Sequence, residues 1–187
     1  MKLCQLLALS RALVVLPTWL AALAQSSPQP RKALICLRYD DGLESHLTTA
    51  IPQLNSFNLK ATFFLNAIKG SAEVIGQASP ALLGWKKAAQ QGHELGNHTL
   101  SHPCPTALGW PQEVAIEAYA TEQILQEVRT LDALLDLIDT QKTLRAFAYP
   151  GHNTLVASQD YSFRLQKEEL VQYGRTGGNR NSVIKKF

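Results

Sequence analysis

Four short runs suited to buried strands, each stopping at a loop that carries polar residues or glycine, constrain this chain more than any other feature. They are Ala33–Tyr39 before Asp40-Asp41-Gly42, Lys60–Leu65, Glu94–Gly96 before Asn97-His98, and Leu144–Tyr149 before Pro150-Gly151. Helical spacing fills the intervals. A helix capped by Ser45 or Glu44 and running to about Asn55 places Leu47, Ile51 and Leu54 on one face. Pro80 to Gln91 is helical and closed by Gly92. Pro111 to Asp139 is the longest periodic segment, with Ile116, Tyr119, Ala120, Ile124, Val128, Leu131, Leu134, Leu135 and Ile138 at helical intervals. Glu168–Arg175 carries a fifth strand, followed by the loop Thr176-Gly177-Gly178-Asn179. Strands that alternate with helices pair in parallel through right-handed crossovers. The expected class is α/β, with a parallel sheet either open or closed as a barrel.

The chain has 187 residues, 45% of them hydrophobic, which is one domain with a substantial core. Its net charge of +3 is concentrated near the ends, at Lys2, Arg11, Arg31, Lys185 and Lys186. The middle is close to neutral and lacks the basic stripe that a nucleic-acid partner requires. Residues 1–24 read as a signal peptide: a basic start, an apolar run from Leu13, and the small-x-small pattern Ala22-Leu23-Ala24. Cleavage after Ala24 leaves a polar spacer at 25–32 and a domain at 33–187, secreted or periplasmic. Arg11 interrupts the apolar run, so no stable membrane span is expected after cleavage. Cleavage also removes Cys4. Cys36 reads as a small core residue within a strand, and Cys104 follows His102 closely. Oligomeric state is not legible.

The chemistry gathers where strands end, which in α/β proteins is the face whose loops build sites. Asp40 and Asp41 are adjacent, and neighbouring strand residues point to opposite sides. One carboxylate can therefore reach a metal while the other faces a substrate. His98 and His102, four apart, share a face if their loop takes a helical turn. Two imidazoles and a carboxylate supply three ligands with an open position, the arrangement of metal-assisted hydrolysis. His93 precedes its strand and reads as structural; His46, one turn into the first helix, is structural or on the rim.

These residues match a known family. The chain resembles the polysaccharide deacetylases, the NodB-homology group of carbohydrate esterase family four. Tyr39-Asp40-Asp41-Gly42 matches the first motif of that family, His98-Thr99-Leu100-Ser101-His102 the second, and Lys60–Leu65 the strand between them. Phe147-Ala148-Tyr149-Pro150-Gly151 looks like the third. The resemblance implies a partial or distorted (β/α) barrel of the glycoside hydrolase/deacetylase-like type. It makes Asp40 the general base and Asp41, His98 and His102 the ligands of a divalent metal: Zn2+ first, with Co2+, Ni2+ or Mn2+ compatible with the same donors. The Gly151 backbone N–H becomes the oxyanion donor, because Pro150 has none, and Tyr149 and Pro150 become substrate-binding. The implied partner is an acetylated carbohydrate, and the implied reaction is hydrolysis of its N-acetyl or O-acetyl groups.

Three departures accompany the match. Many members carry a base-orienting arginine in the third motif where this chain has Ala148, and Arg145 is placed to point elsewhere. The third motif is one residue short. Only 36 residues follow Gly151, with no histidine after His152, so the late strands and the late histidine acid of the family have no counterpart and a C-terminally incomplete domain is expected. Two rival expectations follow: an inactive remnant that keeps the metal and binds carbohydrate, and a related amidase acting on non-peptide C–N bonds.

Overall fold

The computed structural model describes residues 35–66, 80–140, 144–177 and 184–186. The expected signal peptide and spacer, the start of the first strand and the Gly178-Asn179 loop end lie outside the described residues. Residues Cys36–Phe187 form one compact unit. Its sheet has six strands, β1 (Arg38–Asp40), β2 (Thr62–Leu65), β3 (Glu94–Asn97), β4 (Ala146–Ala148), β7 (Tyr173–Arg175) and β8 (Ile184–Lys186), side by side in that order. The first five are parallel and β8 is antiparallel to β7. A small antiparallel ribbon, β5 (Leu155–Val156) with β6 (Gln159–Asp160), lies between β4 and β7 in the chain. The parallel strands curl into a half-barrel, as the resemblance implies. Among the described residues no helix is long and apolar enough to cross a membrane.

Alternation along the strands sorts side chains between the two faces. Phe63 and Leu65 of β2 join Trp85, Leu95, Leu131 and Leu135 in a core under helices α1 (Ile51–Ser56), α2 (Pro80–Gln90) and α3 (Thr121–Asp136). Phe147 of β4 belongs to a second cluster with Ile124, Val128, Tyr149, Tyr161 and Leu165, the last from α4 (Ser162–Lys167). Phe64, Ala146 and Ala148 face the other way and make a third. On that inner face Phe64 stands opposite Gly96. A Cβ on Gly96 would sit 2.6 Å from the Phe64 ring and 3.0 Å from the Ala146 carbonyl, so only glycine leaves room for that ring.

Three elements depart from expectation. The first helix begins as a π-helical stretch, His46–Ala50, in which the Ile51 N–H bonds to His46 O. Pro52 explains the wide turn: it has no N–H to donate, and its ring crowds the carbonyl four residues back. The long periodic segment is helical only from Thr121, because Pro111, Ala115 and Ala120 are extended, with ψ of 140°, 157° and 155°. Two short 3-10 turns, Gln112–Val114 and Ile116–Ala118, occupy the interval and still bury Ile116. Cys36 is exposed, not in the core, since the chain there precedes β1 at the open edge of the sheet.

Buried Arg145 ties the end of α3 to the sheet, bonding Asp136 at 2.7 Å, Asp139 at 2.9 Å and Leu95 O at 3.3 Å. As read from the sequence, it points away from the loops at the strand ends.

Candidate active site

Asp40 closes β1, and Asp41 follows in a left-handed conformation, φ 71°. That reversal separates the two carboxylates. Asp41 turns toward the histidine loop, where its Oδ1 lies 3.8 Å from His98 Nε2 and 3.5 Å from His102 Nε2. Asn66, just past β2, donates to the same Oδ1 at 2.9 Å and fixes the carboxylate.

The loop after β3 is held by its own polar residues. Asn97, fully buried, accepts the Thr99 N–H at 2.8 Å and donates to Val128 O and Asp132 on α3. Thr99 Oγ1 accepts the His102 N–H at 3.1 Å. Thr99 and His102 have φ of 63° and 51°, a conformation that costs a non-glycine residue about 1–3 kcal/mol and persists where the surroundings enforce it. Glu127 on α3 supplies part of that enforcement, accepting from the Ser101 N–H, the Ser101 hydroxyl and the Tyr119 hydroxyl.

His98 Nδ1 lies 2.7 Å from Ala148 O and donates to it, which leaves the Nε2 lone pair pointing into the site. His102 Nδ1 faces Cys104 Sγ at 3.4 Å. Cys104 thus touches the far nitrogen of His102 and is not a fourth member of the cluster. Burial pushes its thiol up to about 11, so the sulfur stays protonated. The two Nε2 atoms stand 3.0 Å apart. Burial lowers both imidazoles, His98 to about 4 with His102 adding to the shift, so both are neutral near pH 7. In the tautomers that carry both protons on Nδ1, the two Nε2 lone pairs face each other beside a carboxylate, an arrangement that a cation between them would satisfy. The three ligand atoms lie within 4.8 Å of one another, and their donor chemistry fits a divalent ion.

Asp40 takes a different partner. Arg175, at the end of β7, places Nη2 at 2.5 and 2.6 Å from the two Asp40 oxygens. Its guanidinium lies over the Phe64 ring, 5.0 Å from the centroid. The layer is assembled by register: Asp40 opposite Phe64, Phe64 opposite Gly96, and Ala148 opposite Arg175. The small Ala148 stands where many members of the resembled family carry an arginine, and this chain provides one from the adjacent strand. The sequence reading missed Arg175; the available signal was a cation at the C-terminal end of a strand, just before a Thr-Gly-Gly loop.

The Tyr149-Pro150-Gly151 turn sits beside His98 through the Ala148 carbonyl. Tyr149 gives its N–H to Arg175 O, and Pro150 has none. The Gly151 N–H, at φ 54°, has no acceptor among the described residues. Tyr149 and Pro150, expected to meet substrate, are both buried, with Tyr149 in the second core cluster. Their side chains support the turn from beneath. His152 is exposed, its ring against Gly177. His93 is structural as expected, meeting Ala61 N and Asn55. His46 is buried among Tyr39, Phe63 and Trp85.

Comparison with known proteins identifies the family. The family model described as polysaccharide deacetylase matches residues 27–166. A peptidoglycan-N-acetylglucosamine deacetylase of Bacillus cereus is 34% identical over 113 residues, 59% of this chain and 38% of that protein. A Streptococcus pyogenes deacetylase solved with acetate superposes with TM-score 0.54 at 24% identity, covering 81% of this chain and 61% of the other. A polysaccharide deacetylase of Bacillus cereus superposes with TM-score 0.55 at 17% identity, covering 78% and 61%. At those identities the two structures support the shared fold, and the chain spans well under half the length of the Bacillus cereus peptidoglycan deacetylase. With the half-barrel in common and the family model covering most of its length, this chain belongs to the polysaccharide deacetylases, as a NodB-type member of carbohydrate esterase family four.

Proposed function

We propose that this chain is a metal-dependent hydrolase that removes acetyl groups from an N-acetylglucosamine polymer, with Asp41, His98 and His102 holding the metal and Asp40 acting as general base. The observation that carries this reading is the convergence of the triad on one point, with Asp40 clamped beside it by Arg175. The curated relative acts on peptidoglycan N-acetylglucosamine, which supports that sugar as the substrate unit. Zinc is the proposed ion, since two imidazoles and one carboxylate suit it. A divalent ion bound there supplies a Lewis acid that lowers the pKa of water and polarises an acetyl carbonyl.

The protein's own groups then divide the work. Arg175 aims Asp40 by meeting both of its oxygens, and the carboxylate takes a proton as water attacks the acetyl carbon. The Gly151 N–H would donate to the oxygen that gains negative charge, a role supported by its lack of an acceptor among the described residues. When the C–N bond breaks, the amine leaves with a proton and the carboxylate departs as acetate; the proton held by Asp40 is available to that amine. Export after cleavage at Ala24, with residues 33–187 as the mature domain, fits a substrate that lies outside the cytoplasm.

Acetate release from N-acetylglucosamine oligomers, measured on metal-free protein and again with zinc or cobalt, tests the proposal beside an Asp40→Asn control. Release that requires metal and disappears in the control is the expected result. Absence of release with one metal bound per chain would instead make the protein a carbohydrate-binding remnant. Release from small non-carbohydrate amides alone would make it an amidase.

A further inference from the structure

Beyond the triad, the segment between Cys104 and Ile116 forms a stapled loop that the chemistry above does not use. Its two ends are joined by the Ile116 N–H to Cys104 O at 3.1 Å, and Ile116 is fully buried. Pro105 and Pro111 stiffen it, Gly109 turns it at φ 85°, and Glu117 accepts from both the N–H and the hydroxyl of Thr106. This rigid loop holds apolar groups at the edge of the site. The Trp110 ring lies 6.2 Å from the His102 ring at 45°, only partly buried. Its indole N–H has no acceptor among the described residues. Leu108 is 60% exposed, yet its Cδ1 reaches to 3.0 Å from where a Cβ on Gly151 would stand. One apolar rim therefore runs from the metal ligand His102 to the turn that carries the oxyanion donor.

Leu108 keeps 60% of its surface in water and Trp110 is only partly buried, so covering both with an apolar ligand face is favourable. A saccharide with two adjacent rings accounts for both features. The C–H face of one ring is apolar and stacks on an indole, whose in-plane N–H then remains available to a hydroxyl of the neighbouring sugar. We propose that Trp110, with Leu108 beside it, is a platform for a sugar ring adjacent to the one that carries the acetyl group, so that the site selects oligosaccharide over monosaccharide. This rests on the deacetylase reading, because that reading supplies the saccharide. The platform is preorganised, and binding there orders little of the protein.

The test is calorimetric titration of N-acetylglucosamine and of its tetramer into zinc-loaded Asp40→Asn protein, with and without Trp110→Ala. In that background no turnover is needed, so failure of deacetylation and failure of the platform are read separately. The tetramer should bind at least about tenfold more tightly than the monomer, and Trp110→Ala should remove most of that gain, about three- to tenfold. Trp110→Phe should keep part of it, and Leu108→Ala should lose less than Trp110→Ala. Monomer affinity and zinc affinity should stay unchanged. Equal binding of tetramer and monomer, or a tetramer affinity indifferent to Trp110→Ala, would overturn the proposal. So would a shift in zinc affinity that accounts for the loss, which would assign the indole to His102. A dimer in sedimentation that Trp110→Ala dissolves would assign the rim to a second copy of the chain, and would overturn it equally.

Discussion

Replacing Arg175 with alanine removes a guanidinium whose Nη2 meets both oxygens of Asp40, at 2.5 and 2.6 Å. Breaking a buried pair at one end costs about 3–5 kcal/mol, whereas an exposed pair contributes about 0–1 kcal/mol. Here the side chains are 11% and 32% exposed, which places this pair between those limits. A loss of about 1–3 kcal/mol is expected, including the contact with Phe64. In a chain of this size that lowers the melting temperature by about 2–12 °C. Activity should fall further than stability explains. A positioned base contributes about 10²–10⁴ in rate, and an Asp40 free to rotate should forfeit about 10–100 of it, in kcat more than in KM. Lysine at position 175 offers one point charge and should recover only part. The assay is acetate release on Arg175→Ala, Arg175→Lys, Asp40→Asn and the double variant, with thermal unfolding alongside. Since Arg175 is argued to act through Asp40, the double variant should be no slower than Asp40→Asn alone. A folded Arg175→Ala protein within twofold of wild type, or strictly multiplicative losses in the double variant, would refute the reasoning.

Other expectations follow from the same geometry. In metal-free protein, His98 is lowered to about 4 from an unfolded value of 6.5, so the folded state binds fewer protons between those values. Stability should therefore fall as pH drops from about 6.5 to 4, by up to about 3 kcal/mol from this group, and His98→Gln should make that slope shallower in urea titrations, His102 keeping a share of it. Asp132 runs the other way: burial raises it to about 6 from 3.8, so its contribution declines as pH rises through that window. Asp132→Asn should accordingly steepen the acid loss due to His98; an unchanged slope would show that Asp132 is not protonated there. Gly96→Ala forces a methyl into the Phe64 ring at 2.6 Å and should cost about 1–3 kcal/mol by overpacking, read as a lower melting temperature. It should also displace Arg175, which rests on that ring, and so lower kcat. Asn97→Ala strips the Thr99 N–H and Val128 O of their partner; a loss of about 2–4 kcal/mol and at least a tenfold weaker metal site are expected by calorimetry.

The parts of the site that were legible in the sequence are local. Asp40-Asp41 and His98-x-x-x-His102 each occupy a single loop, and an apolar run before each marks the strand end that exposes it. Arg175 was not legible because its bond to Asp40 spans 135 residues and depends on the order and register of five strands. Its alignment with Ala148 exists only once β7 pairs with β4. Likewise the burial of Tyr149 follows from Tyr161 and Phe147 closing on it, at centroid distances of 5.3 and 4.9 Å, not from its own neighbours in the chain. The length of α3 was overestimated because 3-10 turns keep Ile116 and Tyr119 in phase with the helix that follows. Periodicity reports burial, whereas the extended backbone at Ala115 and Ala120 decides where the helix starts. The exposure of Cys36 has the same origin as the Arg175 omission: strand order sets which run lies at an edge.

The most direct test of the central claim is a calorimetric titration of zinc into metal-free protein, repeated with Asp41→Ala, His98→Ala and His102→Ala. The predicted result is one ion per chain in the wild type and a loss of affinity of at least about 100-fold in each variant, since every one removes a third of the ligand set. Cys104→Ser should still bind one ion, because its sulfur meets only the far nitrogen of His102. Wild-type protein that takes up no zinc, or variants that bind it as tightly as the wild type, would contradict the triad and with it the hydrolytic mechanism.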